Sequence, residues 1–102
     1  MRTVTVKNDG KNISLTIDTL TVEVDVTDLY CSLELIDARV PEGFNKDAYL
    51  EDPFICPNCY SEDGGDVTEA KIVDDRLELT IVCECTTQVT DIFDLEEVLN
   101  LN

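Results

Sequence analysis

The sequence predicts a mostly β protein in two parts, with a small antiparallel β sheet in residues 1–53 and a three-stranded sheet in residues 54–102. Three observations predict this fold class. Apolar and polar residues alternate along much of the chain, as they do in half-buried strands. Clusters of Asn, Asp and Gly separate the alternating segments, as turns between antiparallel strands require. Four cysteines form two close pairs in the second part, where they can add stability to a chain whose 102 residues leave room for only a small core.

The first part begins with three predicted strands. Apolar residues occupy every second position in residues 3–7, 13–17 and 20–26. Asn8-Asp9-Gly10 separates the first two segments and is a strong signal for a β-hairpin turn. The three segments therefore predict a small antiparallel sheet of half-buried strands.

Residues 28–37 fit two structures. A strand would bury every second residue, namely Leu29, Cys31, Leu33 and Leu35. A helix capped by Asp28 would instead bury Leu29, Leu33 and Ile36. Because the alternation continues from the preceding strand, we predict a strand, with Cys31 as a small core residue.

A short helical joint is predicted between the two parts. Pro41-Glu42-Gly43 interrupts the alternation, and residues 45–52 can form a short helix that Pro53 ends. We therefore divide the chain after residue 53, into an N-terminal β lobe with this joint and a C-terminal part.

The second part contains three predicted strands, at residues 67–73, 77–82 and 87–93. Asp74-Asp75-Arg76 joins the first two strands, because Asp residues are favoured in tight turns. A loop from Ser61 to Asp66 with paired glycines precedes these strands, and residues 95–101 predict a short helical or irregular tail.

The cysteine pairs are Cys56-Pro57-Asn58-Cys59 and Cys83-Glu84-Cys85. The N-terminus lacks the apolar core of a secretory signal peptide, so we expect a cytoplasmic location, where paired cysteines bind metals more often than they form disulfides. Four thiolates in two pairs predict a closed tetrahedral shell for a structural Zn²⁺, with Cys56, Cys59, Cys83 and Cys85 as ligands. The alternatives are buried apolar cysteines, a disulfide, or a redox dithiol formed by Cys56 and Cys59.

Catalysis is not expected. The chain has no His, which excludes Ser-His-Asp and Cys-His sites. A metal with four cysteine ligands has no open position for water or substrate. We therefore predict a non-catalytic protein.

The charge is strongly negative, with 23 Asp and Glu against 7 Lys and Arg, for a net charge of −16. Nucleic acids and anionic membranes require a basic face, so neither is an expected partner. Residues 54–102 hold 12 acidic and 2 basic residues, against 11 and 5 in residues 1–53. The acidity fits salt adaptation, a merely solvated surface, or recruitment to a basic protein, including imitation of nucleic acid.

The C-terminal half, residues 54–99, resembles the small zinc-ribbon proteins common in phage genomes and in some bacterial ones. The resemblance depends on Cys56-Pro57-Asn58-Cys59-Tyr60-Ser61-Glu62-Asp63, on Cys83 and Cys85, and on the final segment Thr90-Asp91-Ile92-Phe93-Asp94-Leu95. It implies a three-stranded zinc ribbon with the four cysteines around a structural zinc. Tyr60 and Thr86 stand where zinc ribbons place Gly, and the second pair is Cys-x-Cys rather than Cys-x-x-Cys.

The resemblance and the charge together suggest a phage-type adaptor or inhibitor, which would bind a basic, nucleic-acid-handling protein of the host in the host cytoplasm. Open strand edges make a homodimer a further expectation. The alternative is an RNA-polymerase-associated factor. Transcript-cleavage factors have two adjacent acidic residues at the tip of a zinc-ribbon hairpin, and Asp74 and Asp75 occupy the corresponding tip. The same pair is also what a tight turn prefers.

Overall fold

A computed structural model describes residues 3–9, 12–53, 55–60 and 65–101. In chain order the elements are β1 (Val4–Asp9), β2 (Asn12–Ile17), β3 (Leu20–Asp25), α1 (Val26–Ser32), β4 (Leu35–Arg39), α2 (Lys46–Glu51), β5 (Asp66–Val73), β6 (Arg76–Val82), β7 (Gln88–Asp94) and α3 (Leu95–Leu99). The strands form two antiparallel sheets, so the prediction of a mostly β protein is confirmed.

The first sheet has the order β1-β2-β3 and the second has the order β4-β7-β6-β5. The three strands predicted in residues 54–102 are present as β5, β6 and β7, and the second sheet also contains a fourth strand. The extra strand is β4, which comes from the N-terminal part and pairs with β7. It joins this sheet because Ala38 on β4 is buried against Tyr49 and Val89.

Two predicted turns fall partly outside the described residues. Asp9 pairs with Asn12, so the hairpin is present, but Gly10 of the predicted turn is not described. Ser61 to Gly64 of the predicted glycine loop are not described either.

Residues 28–37 do not form the single strand that was predicted. Residues 28–32 belong to helix α1, and residues 35–37 begin strand β4. The N-cap of α1 is Asp25, whose Oδ1 accepts a hydrogen bond from the Thr27 amide at 2.8 Å. The helix buries Val26 and Leu29, and Leu33 is buried immediately after it. Cys31 lies on the opposite face and is exposed, so its prediction as a core residue is also wrong.

One hydrophobic core joins the two sheets and crosses the predicted boundary after residue 53. It is formed by residues of β2, α1, β5, β6, β7 and α3, chiefly Ile13, Leu15, Ile17, Val26, Leu29, Val67, Leu77, Leu79, Ile81, Phe93, Leu95 and Val98. Their alternation along the strands puts every second side chain into this core.

The two remaining helices begin at capping side chains. The predicted helix at 45–52 is α2, where Asn45 Oδ1 accepts from the Ala48 amide at 3.2 Å. The tail begins with α3, where Asp94 Oδ1 accepts from the Glu96 amide at 3.1 Å. Within the described ranges, every helix is too short or too polar to cross a membrane.

Candidate metal centre

The structure brings the four paired cysteines together. The turn from Cys56 to Cys59 follows α2, and Cys83 and Cys85 lie in the connection between β6 and β7. The four Sγ atoms all lie within 4.8 Å of one another. The fold thus forms a four-cysteine cluster that is compatible with a metal ion.

Two short sulfur contacts connect the two turns. Cys56 Sγ lies 3.5 Å from Cys85 Sγ, and Cys59 Sγ lies 3.4 Å from Cys83 Sγ. A tetrahedral Zn²⁺ with Zn–S bonds of about 2.3 Å would separate its sulfurs by about 3.8 Å. The cluster is therefore close to the size that such an ion requires.

Burial of the cysteines is uneven. Cys56 and Cys83 are buried, Cys85 is half-buried, and Cys59 is exposed. Each turn thus provides one buried cysteine and one that is at least partly exposed.

The two cysteine turns are closed in the same way although they differ in length. The Tyr60 amide donates to the Cys56 carbonyl at 2.9 Å, and the Thr86 amide donates to the Cys83 carbonyl at 2.8 Å. In both turns the donor follows the second cysteine and has a left-handed backbone, with φ of 59° at Tyr60 and 70° at Thr86. Zinc ribbons, which the sequence pattern resembles, place Gly at these two positions, and Gly adopts the left-handed conformation without strain.

Two polar side chains surround the sulfur of Cys85. Thr87 Oγ1 lies 3.2 Å and Asn58 Nδ2 lies 3.7 Å from that sulfur, and Asn58 Nδ2 donates to Thr87 Oγ1 at 3.1 Å. Such contacts orient metal ligands. Sequence reasoning missed both residues, because their meeting depends on the two turns facing each other.

The thiols of the cluster differ in acidity. Hydrogen bonds from the Thr87 side chain and backbone lower the pKa of Cys85 to about 6. The Cys85 amide lowers the pKa of Cys83, but burial and hydrogen bonds with the neighbouring thiols outweigh it and raise that pKa to about 12. Four thiols in contact share protons and cannot all ionise without a nearby cation. A soft divalent cation such as Zn²⁺ supplies the compensating charge, so the donor set fits this ion.

Asp74 and Asp75 lie at the other end of the same sheet. They form the two-residue connection between β5 and β6, with φ of 50° and 63°, as a type I′ hairpin turn requires. Strand β6 separates Asp75 from Cys83 by about 26 Å, at about 3.3 Å per residue. The structure therefore separates the predicted partner-binding pair from the cysteines.

The start of α3 lies beside this hairpin tip. The Leu95 amide donates to the Asp75 carbonyl at 3.1 Å. Glu96 and Glu97 are in the first turn of α3 and are exposed, as Asp74 and Asp75 are. We call these four carboxylates, from Asp74, Asp75, Glu96 and Glu97, the acidic end.

A buried carboxylate was also missed by sequence reasoning. Asp91 lies on β7 and is 0% exposed, and it accepts hydrogen bonds from the hydroxyls of Tyr30 and Tyr49. Burial raises the pKa of Asp91 to about 6, although the two tyrosine hydrogen bonds oppose the rise. Its position between Val89 and Phe93 in the alternating pattern was the available signal, since that face of the strand points into the core.

No protein-family model matches this chain, and no curated protein or solved structure that was compared with it matches either. The likeness to zinc ribbons is therefore one of residue pattern.

Proposed function

We propose that this chain is a non-catalytic, acidic zinc-ribbon protein of phage type, which acts as an adaptor or inhibitor by binding a basic, nucleic-acid-handling protein. The observation that supports it best is the arrangement of the second sheet. A compact four-cysteine cluster lies at one end, and the exposed carboxylates of the acidic end lie at the other.

The cluster supports a structural zinc. Its four sulfurs can fill a tetrahedral shell, which leaves no position for a reacting molecule. Strands β5, β6 and β7 and the two cysteine turns have the layout of a zinc ribbon, with β4 as an additional edge strand. Ion binding would then contribute directly to folding, by about 10 kcal/mol or more in small zinc domains.

The distribution of basic side chains supports a basic partner. On the outer face of the second sheet, Arg39 binds the buried Glu78 through two hydrogen bonds of 2.7 and 3.2 Å, and Lys71 lies 3.9 Å from the same carboxylate. Lys46 pairs with Asp37 at 2.7 Å. These three bases are thus already paired within the molecule, while the acidic end, which the exposed Arg76 adjoins, remains exposed.

A basic surface is the natural complement of the acidic end. Proteins that handle nucleic acids present such surfaces to bind phosphates. Opposite charges would speed association, and salt would weaken it.

A homodimer through the edge of β4 is not part of the proposal. Between Leu35 and Asp37 the pairing of β4 with β7 shifts register, and Asp37 accepts a hydrogen bond from the Ala38 amide at 2.9 Å. A bulge and charged side chains are features that discourage pairing between edge strands.

The alternative, a polymerase-associated factor, requires Asp74 and Asp75 to act at a projecting tip. Here the tip is bonded to α3 through Asp75 and Leu95, and both Asp residues have the backbone that the turn itself demands. The turn thus accounts for the pair. If replacing both with Ala abolished a transcript-cleavage activity of the protein, the alternative would be preferred.

Metal analysis tests the zinc. We expect one zinc per chain after purification without added metal, and chelation should lower the midpoint of thermal unfolding by more than 10 °C, because the ion stabilises the folded state alone. Cys56→Ser should abolish binding, whereas Cys31→Ser, outside the cluster, should keep it. Well under one zinc per chain, together with an unchanged midpoint after chelation, would refute the metal assignment.

Affinity capture from host-cell extract tests the acidic end. The test variant changes Asp74 and Asp75 to Asn and Glu96 and Glu97 to Gln. The control removes the same charge from four exposed carboxylates elsewhere, namely Glu23, Glu34, Glu42 and Glu51. We expect a basic protein to be captured at low salt, released at high salt, and lost with the test variant but not with the control. Equal loss with both variants, or capture that salt does not affect, would contradict the proposal.

A further inference from the structure

The hydrogen-bonded group around Asp91 connects both longer helices to the central strand β7. Tyr49 on α2 donates through its hydroxyl to Asp91 Oδ1 at 2.8 Å and lies 3.0 Å from Oδ2. Tyr30 on α1 donates to the same carboxylate. The residues paired with Asp91 across the sheet are Ala38 and Leu79, which are apolar. The two tyrosines are thus the polar groups that hold this carboxylate among the described residues.

Tyr49 also borders the cysteine cluster. Tyr49 is 5% exposed and packs against Ala38 and Val89. Together with Cys56 and Cys83 it lines one small depression beside the cluster. The interior end of the metal site and the Asp91 group therefore share this side chain.

The two cysteine turns follow different kinds of secondary structure, a paired strand in one case and a short helix in the other. Cys83 directly follows β6, whose backbone pairs with β5 and β7. Cys56 follows the short helix α2 by five residues, and α2 has one buried side chain, Tyr49. The position of the first turn consequently depends on how α2 is held.

We infer that the hydrogen bond from Tyr49 to Asp91 positions the first cysteine turn, and that these two residues set the affinity of the cluster for its metal. Neither residue is a ligand. They hold Cys56 and Cys59 near the second turn before the ion arrives, so that less ordering is left for binding to accomplish. Asn58 provides a second attachment through Thr87, so loss of the Tyr49 hydroxyl should weaken the site without abolishing it.

The inferred effect of Tyr49 on metal affinity rests on the proposed zinc function. Two tyrosine variants test this effect. Tyr49→Phe removes the hydroxyl on α2, and Tyr30→Phe is the matched control because it removes the other hydroxyl from the same carboxylate. In competition with a chromophoric chelator, we expect Tyr49→Phe to bind Zn²⁺ about tenfold more weakly, as for other residues that orient ligands. Tyr30→Phe should stay within about twofold of the unchanged protein.

Alkylation of the metal-free protein tests the positioning directly. Cysteines are modified with iodoacetamide, and the rate at each is followed by mass spectrometry, with the exposed Cys31 as internal reference. We expect Tyr49→Phe to raise the rate at Cys56 severalfold while Cys83 stays protected. General destabilisation would raise both rates together.

Equal acceleration of Cys56 and Cys83, or the same pattern with Tyr30→Phe, would overturn the inference. An unchanged zinc affinity in Tyr49→Phe would overturn its metal part. If the unchanged protein bound no zinc, the proposed function would fail, whereas selective exposure of Cys56 would still establish the positioning role.

Discussion

Two residues of the cluster region have backbones that their side chains disfavour. Tyr60 and Thr86 are left-handed, and this conformation costs about 1–2 kcal/mol for a residue with a Cβ atom. Tyr60 is 75% exposed and Thr86 is also exposed, so packing does not offset the cost. Their amides close the two cysteine turns. The turn geometry therefore imposes the conformation, and bound metal can supply the free energy that it requires.

Replacing Thr86 with Gly should stabilise the protein. Gly removes the left-handed penalty but adds about 0.5–1 kcal/mol of chain entropy to the unfolded state, so we expect a net gain of about 0.5–1 kcal/mol. Urea unfolding at fixed zinc concentration measures the change. Thr5→Gly, at an exposed position in β1, is the control and should lower stability. A loss with Thr86→Gly as large as with Thr5→Gly would show that the Thr86 backbone carries no such penalty.

At the scale of elements, strands were predicted well where a turn and an alternating pattern coincide, as in β5, β6 and β7. The prediction of one strand at 28–37 was wrong because strand alternation and helical spacing would bury overlapping sets of residues there. The deciding features were the Asp25 cap and the burial of Leu29 beneath α1. The first was visible in the sequence, but the burial depends on the packing of α1 against both sheets. Strand β4 was missed as a member of the second sheet for the same reason, since its partner β7 lies about 50 residues further along the chain.

In the candidate site, too, some residues could be predicted from the sequence and others could not. Its four cysteines could be predicted because their chemistry and spacing are local properties of the sequence. The contacts of Asn58 with Thr87, and of Tyr49 with Asp91, connect residues 29 and 42 positions apart. No short pattern marks such pairs, because they exist only once the sheet and its helices have assembled.

At the scale of the whole molecule, the negative charge opposes folding. The net charge is −16 at pH 7, and charges of one sign repel more strongly in the compact chain than in the unfolded one. Asp91 adds to this effect, because its carboxylate is buried in ionised form at neutral pH. Both contributions diminish as carboxylates become protonated.

The metal-free protein should therefore become more stable on mild acidification, from pH 7 to about pH 5. The pKa of Asp91 is about 6 when folded, above its ordinary value of 3.8, so the folded chain binds this proton more tightly. Its stabilising contribution is complete below the unfolded pKa and is lost as the pH rises through about 6. The full difference between the folded and unfolded pKa values of Asp91 corresponds to roughly 2–3 kcal/mol of folding stability.

Urea unfolding of the unchanged protein and of Asp91→Asn, both with chelator, separates the effect of Asp91 from that of general charge repulsion. We expect the unchanged protein to gain stability relative to the variant as the pH falls, and general charge repulsion to cancel in the comparison. A difference between the two that does not vary between pH 4 and pH 7 would contradict the role of Asp91.

The pairing of β4 with β7 has a consequence for how this chain can evolve and be engineered. A small metal domain that folds with its own strands and its own ion could be joined to unrelated proteins. In this chain, residues before position 54 contribute an edge strand, Tyr49 and many of the apolar side chains that pack against the cysteine-bearing half. Excised alone, it would leave Leu77 and Phe93 without the side chains that cover them. The two halves are therefore expected to have been inherited together, as one indivisible unit.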